Sequence, residues 1–336
     1  MIVFAWVFTC ACAKHEPHGT DDRALHREAE STPLASAASE TASGGLADAK
    51  PDAVSDAGPE DLTDLETRPP VWGKSIGHTS VVFKVKLDGG ALAAYKPASH
   101  RGGARYKGEI AAYRLARALG LPNVPPALAR DFRWTELSAA LGGDGTDAGK
   151  LFKDETNGDE RGNIRGAIIP WIDHLTFVPL DAEPLRSSSR GWLEANATVP
   201  DDKKKLAGQL STMIVFDYLT GNWDRWSGGN IGMQEGHDTL LFIDNDGAFF
   251  DPPPPAPLAK QLALLKEDAR YSRSFVTALR SLDSESTRAA FGELRPGEPL
   301  LSAHVLEGVE VRRRTALAII EAKVASHGER SVLVFD

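Results

Sequence analysis

The sequence predicts an α+β domain with two lobes: a small, β-rich N-terminal lobe with one key helix and a mainly helical C-terminal lobe. Three observations support this fold class. An alternating apolar pattern broken by a glycine turn opens the body of the chain, an apolar stripe at helical spacing follows it, and the second half alternates helical patterns with Gly and Pro breaks. We expect the domain to cover residues 71–336, with the N-lobe at about 71–170 and the C-lobe at about 171–336.

The first predicted elements are a hairpin and a helix. Val81, Phe83, Val85 and Leu87 alternate along a strand over residues 79–87, and a turn at 88–90 leads to a second strand over 91–96. A glycine-containing turn at 73–79 precedes the hairpin. The apolar stripe then predicts a helix over 106–119, residues 141–163 are expected to form an exposed insertion, and a further strand is predicted over 164–171.

The C-terminal half begins with a second clear helix. Leu206, Leu210 and Met213 lie at helical spacing, and Gly221 is a typical residue at a helix end. A loop follows, a short strand is expected to start at Ile231, and an apolar run at 240–243 predicts a buried strand that ends in a turn. The four prolines at 252–255 indicate a stiff loop.

Composition limits the partners that we expect for this chain. It carries 38 basic and 47 acidic residues, a net charge of −9, and 13 of the acids but only 5 of the bases lie in residues 13–70. The rest is nearly neutral, so the sequence lacks the overall basic charge that nucleic-acid binding requires. Both cysteines, Cys10 and Cys12, lie near the start, so we expect no disulfide framework or Cys-based metal site in the body.

The N-terminal region predicts export. Residues 1–12 are apolar and resemble a signal or lipoprotein segment in which Cys12 would carry the lipid anchor. Residues 13–70 are rich in Ala, Ser, Asp, Glu and Gly, which predicts a disordered acidic linker. We therefore expect a cell-envelope protein, lipid-anchored, periplasmic or exported. The alternative is a cytoplasmic protein with an apolar N-terminus.

Five polar residues together supply the groups that phosphoryl transfer needs, and they follow one another along the chain in the order that kinases use. Lys96 ends a strand, Glu109 lies on the next helix, Asp224 lies in a loop with Asn230 six residues later, and Asp244 ends a strand before a sharp turn. This chemistry requires a cation on the nucleotide phosphates, oxygen ligands for a divalent metal and a carboxylate that receives the hydroxyl proton. Each residue alone also fits a structural role, but the combination predicts a nucleotide-dependent phosphotransferase.

Three segments resemble the secretory-pathway kinases of the four-jointed and Golgi casein kinase group. Residues 108–130 contain an acidic-start helix followed by a Val-Pro-Pro turn. Residues 216–230, FDYLTGNWDRWSGGN, are similar to the group's DYLTGN-x-DR signature, and 240–249, LLFIDNDGAF, resemble its L-x-x-x-DN segment. The resemblance implies an atypical protein-kinase-like fold of two lobes.

The resemblance also implies the roles of individual residues. Asp224 would be the catalytic carboxylate, Asp244 a metal ligand, and Lys96 and Glu109 the phosphate-binding lysine and its helix partner. Asn230 would be the second metal ligand, one residue beyond its usual spacing. The hinge at 168–174 would receive adenine through backbone groups of Pro170, Trp171 and Ile172.

Three further charged residues have structural interpretations. Asp217 lies on the apolar face of its helix and is expected to bind backbone amides or an arginine. Asp246 is expected to be a turn residue that can assist with metal. Arg225 is expected to pair with a local carboxylate, with contact to phosphate as the alternative.

The function predicted is ATP-dependent transfer of the γ-phosphoryl group to a hydroxyl, with Ser or Thr of a protein as the favoured acceptor and Mg²⁺ or Mn²⁺ as the metal. Alternatives are a nucleotide-binding pseudokinase or scaffold lipoprotein, and a sugar or inositol-lipid kinase. A hydrolase that uses Asp224 and Asp244 as paired carboxylates would leave the Lys96–Glu109 arrangement without a purpose.

Overall fold

The computed structural model describes residues 62–77, 80–180, 182–226 and 229–336. The predicted signal segment, the lipid-bearing Cys12 and most of the predicted linker lie outside these ranges. Within them, no helix combines the length and apolar character needed to cross a membrane.

An antiparallel sheet of five strands forms the N-lobe. The strands are β1 Pro70–Ser75, β2 Phe83–Leu87, β3 Leu92–Pro97, β4 Leu128–Arg133 and β5 Asn163–Pro170, and they pair in the order β1-β2-β3-β5-β4. The hairpin predicted from the alternating pattern is β2–β3, with Phe83 opposite Tyr95, and Gly89 and Gly90 both have positive φ in its turn. The elements of this lobe are α1 Thr63–Thr67, β1 Pro70–Ser75, β2 Phe83–Leu87, β3 Leu92–Pro97, α2 Tyr106–Ala118, β4 Leu128–Arg133, α3 Trp134–Ala140, α4 Asp147–Glu155 and β5 Asn163–Pro170.

Two predictions for the start of the domain are wrong. The expected linker extends to residue 70, but α1 lies within it and buries Leu65 in the N-lobe core. The predicted glycine-containing turn at 73–79 begins too early: residues 73–75 belong to β1, where Gly73 lies opposite Val85 of β2, and the connection to β2 starts only after Ser75. Pairing with β2 satisfies the backbone of this segment, and that tertiary contact outweighs the turn preference of glycine.

The prediction of an exposed insertion at 141–163 is also wrong. Helix α4 lies within it and buries Phe152 completely. The Phe152 ring lies 5.8 Å from the Phe83 ring and 5.4 Å from the Trp134 ring, measured between centroids. Most of the Gly, Asp and Lys residues of this stretch face solvent, and in the sequence they mask the apolar face that packs against the N-lobe core.

The C-lobe is built around helix α6, Lys204–Thr220, whose residues from Leu210 to Thr220 are all buried. A helix that is apolar on all sides belongs in a core, and Gly221 ends it with positive φ. The other elements are β6 Leu175–Phe177, α5 Leu185–Gly191, α6 Lys204–Thr220, β7 Ile231–Gln234, β8 Leu240–Phe242, α7 Pro255–Glu267, β9 Tyr271–Ser272, α8 Arg273–Ser281, α9 Ser284–Phe291, β10 Glu293–Arg295, β11 Glu298–Pro299, α10 Ala303–His327, α11 Glu329–Val332 and β12 Leu333–Phe335.

A small antiparallel sheet, β6–β7–β8, positions the polar loops of the C-lobe. Asn230 immediately precedes β7, and Asp244 follows β8 by two residues. Because β7 and β8 pair with Ile231 opposite Phe242, the two loops lie side by side at one end of the sheet. The predicted metal ligands are therefore brought together by strand pairing.

Candidate active site

A cleft of about 1150 Å³ contains all the residues that the sequence singled out for the site. Strands β3 and β5 and helix α2 supply one wall, and the loops before β7 and after β8 supply the other. The predicted residues that line it are Lys96, Glu109, Pro170, Trp171, Ile172, Asp224, Asn230 and Asp244.

Lys96 lies at the centre of a cluster of carboxylates. Its ammonium group contacts both Glu109 and Asp244 directly and lies 3.7 Å from the carboxylate of Asp246. Lys96 is 8% exposed and Glu109 is 3% exposed. Burial favours the neutral amine, but the three carboxylates outweigh it and raise the pKa of Lys96 above its ordinary value. The ion pair between strand and helix that the sequence predicted is present.

A glycine lets α2 approach the loop that carries Asp244. A Cβ atom at Gly108 would lie only 2.7 Å from the carbonyl oxygen of Asn245 and 3.3 Å from that of Ala248. Any side chain there would push the helix away from the loop. Glu109 is the next residue, so this close approach sets the spacing between Glu109 and Asp244, on either side of Lys96.

The two aspartates of the loop after β8 differ in their protonation tendency. Burial alone would raise the pKa of Asp244, but the ammonium group of Lys96 and its hydrogen bond lower that pKa below its ordinary value. Burial raises the pKa of Asp246, and Lys96 only partly offsets the effect. Asp244 also has a left-handed φ of 55°, a conformation that Asp tolerates better than most residues. The carboxylate of Asp244 is thus held ionised in the cleft.

The loop that contains Asp224 is held by neighbouring amides. The Asp224 N–H donates to Asn222 Oδ1 over 3.1 Å, and the side-chain amide of Asn230 donates to the Asp224 carbonyl over 2.8 Å. A Cβ atom at Gly247 would lie 2.9 Å from the Asp224 Cβ. The loops that carry Asp224 and Asp244 are therefore in van der Waals contact, which places both carboxylates in one cleft.

Arg225 holds these loops together from behind. Its side chain is fully buried; Nε lies 3.2 Å from both carboxylate oxygens of Asp217, and Nη1 donates to the carbonyls of Asn230 and Ile243 over 2.7 and 2.6 Å. Nη2 donates to Asn245 Oδ1 over 2.5 Å. The expected pairing of Arg225 with a local carboxylate is confirmed, and its alternative contact with phosphate is excluded by this burial. Asp217 has the structural role expected of it, and burial raises its pKa to about 6.

The predicted hinge lies at the end of β5. The Trp171 N–H donates to the carbonyl of Leu92 over 3.0 Å, so this donor is already used within the protein. The Lys84 ammonium lies 3.7 Å from the centroid of the Trp171 ring. Backbone recognition of a base at this edge of the cleft would therefore rely on the carbonyl groups of residues 170–172 and the N–H of Ile172.

Sequence reasoning missed one charged residue of the cleft and understated another. Arg105 Nη2 lies 2.6 Å from Asp246 Oδ1, and Arg105 Nε donates to the Asp246 carbonyl over 3.2 Å. The guanidinium carbon also lies 5.6 Å from the Trp223 ring centroid and 5.8 Å from that of Phe250. Arg105 comes from an irregular segment without periodicity. Asp246, expected mainly as a turn residue, is a buried partner of two cations.

The oxygen donors of the cleft suit a metal ion that arrives together with phosphate. Among the residues that the structure describes, no group of three or more His, Cys, Asp and Glu side chains is arranged to hold a metal ion alone. Asp244, Asp246 and Asn230 nevertheless line the same cleft. Mg²⁺ is usually held by one or two carboxylates together with water and substrate phosphates, so this donor set fits such a metal.

The comparison with known sequences covers the middle of the chain. Residues 99–241 match the family model described as the four-jointed box protein middle domain. Four-jointed box protein 1 of Xiphophorus maculatus is 30% identical in an alignment 162 residues long, which covers 42% of this chain and 35% of that protein. The matched region thus spans about a third of the length of this curated relative.

Solved structures with similar folds extend over most of the chain. A Golgi casein kinase aligns with a TM-score of 0.57 at 20% identity, over 81% of this chain and 78% of the other. The same kinase with Mn and ADP bound gives a TM-score of 0.58 at 20% identity, over 81% and 77%. A hydra Fam20 structure with sugar gives 0.60 at 18% identity, over 81% and 90%.

At these identities the structural comparisons establish the fold, and the sequence match is a similarity over residues 99–241. The two-lobed architecture predicted from the sequence is confirmed. The described domain therefore has a kinase-like fold similar to those of the Golgi casein kinase and Fam20 structures, and its residues 99–241 are similar to the four-jointed box protein middle domain.

Proposed function

We propose that this protein is a kinase that transfers the γ-phosphoryl group of ATP to a hydroxyl group, with a protein serine or threonine as the favoured acceptor. One observation carries the proposal. Lys96 contacts both Glu109 and Asp244, in the cleft that Asp224 also lines. A buried lysine shared by a helix carboxylate and a loop carboxylate is the arrangement that kinase chemistry requires.

Each residue of this set has a distinct role in the proposed reaction. Lys96 would donate to phosphate oxygens, and Glu109 would hold its side chain in place. Asp224 would accept the proton of the acceptor hydroxyl as the new O–P bond forms. Asp244, with Asn230 and Asp246, would hold a divalent metal, which when bound neutralises charge on the phosphates.

The nucleotide and the metal are proposed on the same basis. The Golgi casein kinase structure with Mn and ADP bound supports a nucleotide and Mn²⁺ as ligands of this fold. Mg²⁺ is the alternative because it prefers the same oxygen ligands. The intact set of Lys96, Asp224 and Asp244 argues against a pseudokinase.

A sugar hydroxyl is the second candidate acceptor, and the hydra Fam20 structure with sugar is the observation that favours it. The predicted lipid anchor at Cys12 and the predicted envelope location remain predictions about the chain before residue 62. They can be tested apart from the enzyme, because Cys12→Ser should release an anchored protein from membranes.

The proposal is tested by incubating the full chain with labelled ATP and a panel of protein, sugar and inositol-lipid acceptors, in Mn²⁺ or Mg²⁺. Label should enter one acceptor class and should stop when a chelator is added. Asp244→Ala should remove most of the metal-dependent nucleotide affinity, and Asn230→Ala should remove less. Nucleotide binding without transfer to any acceptor would instead indicate a pseudokinase, and unchanged metal dependence in Asp244→Ala would reject the metal assignment.

A further inference from the structure

Arg105 is a second cation in the cleft, and the roles proposed above do not use it. It lies immediately before α2, its side chain is 31% exposed, and it lines the cleft together with Lys96 and Asp224. Lys96 is more deeply buried, with 10% of its side chain exposed. The two cations therefore lie at different depths of the same cleft.

The hydrogen bonds of Arg105 leave part of its guanidinium available to a ligand. Nε donates to the backbone carbonyl of Asp246, and Nη2 donates to the carboxylate of the same residue. A guanidinium has five N–H donors, so these two contacts fix its plane without using all of them. Such a planar, fixed group is suited to bind phosphate through paired hydrogen bonds.

The charge balance of the cleft also favours a role for Arg105 in anion binding. Four carboxylates line it, those of Glu109, Asp224, Asp244 and Asp246, but Lys96 and Arg105 are the only Lys or Arg side chains among the described residues that do so. Lys96 is already in contact with Glu109 and Asp244. A nucleoside triphosphate brings several negative charges close to the carboxylates, so even beside a divalent metal a single shared ammonium is a weak counter-charge for all of its phosphates.

The position of Arg105 indicates which phosphate it would contact. Its guanidinium lies against the ring of Trp223, the residue before Asp224, and it is paired with Asp246, two residues after Asp244. The phosphate that is transferred must come close to Asp224, because that carboxylate receives the acceptor proton. Arg105 is therefore on the side of the cleft where the terminal phosphate would lie.

We infer that Arg105 contacts the terminal phosphate of a bound nucleoside triphosphate and makes the cleft prefer a triphosphate to a diphosphate. The inference rests on the proposed function, since it needs a nucleotide in this cleft. The competing interpretation is structural: Arg105 would only fasten α2 to the Asp246 loop. A structural contact of this kind would support triphosphate and diphosphate binding equally, whereas a contact with the terminal phosphate would affect only the affinity for the triphosphate.

The experiment measures the dissociation constants of a non-hydrolysable ATP analogue and of ADP, both with Mn²⁺, by calorimetry on the full chain. The variants are Arg105→Ala and Arg105→Gln. The glutamine can still donate a hydrogen bond to Asp246, so this variant keeps the structural contact and should fold. Arg101→Ala is the matched control, because Arg101 lies on the same segment but pairs with Glu155 and does not line the cleft.

We expect both Arg105 variants to weaken binding of the ATP analogue by about tenfold or more relative to binding of ADP. This is the size of one lost hydrogen bond between charged groups. Arg101→Ala should change the affinity for neither ligand. Equal weakening of both ligands, or no weakening of either, in Arg105→Gln would overturn the inference and leave the proposed kinase function intact. Failure of the wild-type chain to bind any nucleotide would overturn the proposed function, and the inference with it.

Discussion

Two of the ion-pair clusters in the described part of the protein lie next to each other and differ in their access to solvent. In the cleft cluster, made of Lys96, Glu109, Asp244 and Asp246, three carboxylates surround one ammonium group. In the sealed cluster, Arg225 pairs with Asp217, and its other contacts are to carbonyl and amide oxygens. The cleft cluster is open and has an excess of negative charge, while the sealed cluster is closed and balanced.

This difference shows which property separates a functional charge cluster from a structural one. Both clusters are buried, and both contain residues with shifted pKa values, so burial alone does not distinguish them. The sealed cluster satisfies its own hydrogen bonds and holds two loops in contact. The cleft cluster keeps surplus carboxylate oxygens beside an open volume, where a metal ion and phosphates would offset the charge.

The strongest test of the comparison is Asp224→Asn in the cleft. We expect phosphate transfer to fall by about 10²–10⁴-fold, because an amide cannot accept the hydroxyl proton. Nucleotide affinity and melting temperature should change little, because the side chain is partly exposed and the loop is held by backbone contacts.

The measurement is transfer rate, nucleotide affinity and thermal melting on the same preparations. Asp238→Asn is the matched control, an exposed aspartate that pairs with Lys205 on the surface. Full activity in Asp224→Asn would remove Asp224 from the mechanism.

A substitution in the sealed cluster should lower the stability of the fold, whereas Asp224→Asn should lower phosphate transfer. Asp217→Ala leaves the fully buried Arg225 guanidinium without its carboxylate, and breaking a buried pair in this way costs about 3–5 kcal/mol. Denaturant unfolding should show this loss. An equilibrium stability equal to that of the wild type would mean that the backbone carbonyls alone are sufficient for Arg225.

Within the cleft cluster, Lys96 and Glu109 should behave as a coupled pair. If Glu109 acts by holding Lys96, then Lys96→Ala and Glu109→Ala remove the same arrangement, and their effects on transfer should not add. A double-mutant cycle should give a coupling energy of about 0.5–3 kcal/mol. Additive losses would show that the two residues act separately, despite their contact.

The order of the site residues along the chain was predictable, because regular elements carry most of them. Lys96 ends a strand with an alternating pattern, Glu109 lies on a helix with an apolar stripe, and Asp244 follows a short buried strand. These patterns indicate which face of an element is buried. Pairing of β7 with β8 then brings the loop of Asn230 next to the loop of Asp244.

What the sequence could not show depends on contacts between distant segments. Arg105 lies in an irregular stretch, and its partner Asp246 is 141 residues away. The sequence pattern did not predict helix α4, because its polar residues outnumber the buried Ala148 and Phe152. It did not predict β1, because Gly73 favours a turn in the absence of its pairing with β2. In each case packing outweighed local preference.

The smallest expected effect is the pH dependence that Asp217 gives to stability. Burial raises its folded-state pKa to about 6, above the ordinary value of about 4 for a free aspartate. The folded protein therefore binds this proton more tightly than the unfolded chain. The contribution to stability is fully present below about pH 4 and is lost as the pH rises to about 6, by at most about 1.4 kcal/mol per pH unit.

Asp217→Asn cannot titrate, so its stability relative to the wild type should improve as the pH rises from about 4 to about 6. The measurement is denaturant unfolding of the variants and the wild type from well below pH 4 up to about pH 6. Asp283→Asn provides a control of opposite sign, because the backbone and side chain of Ser286 hold the pKa of Asp283 below its ordinary value. That variant should lose stability relative to the wild type as the pH rises to about 4. A constant difference between Asp217→Asn and wild type would mean that Arg225 keeps Asp217 ionised throughout, and that the sealed cluster is an ion pair at every pH tested.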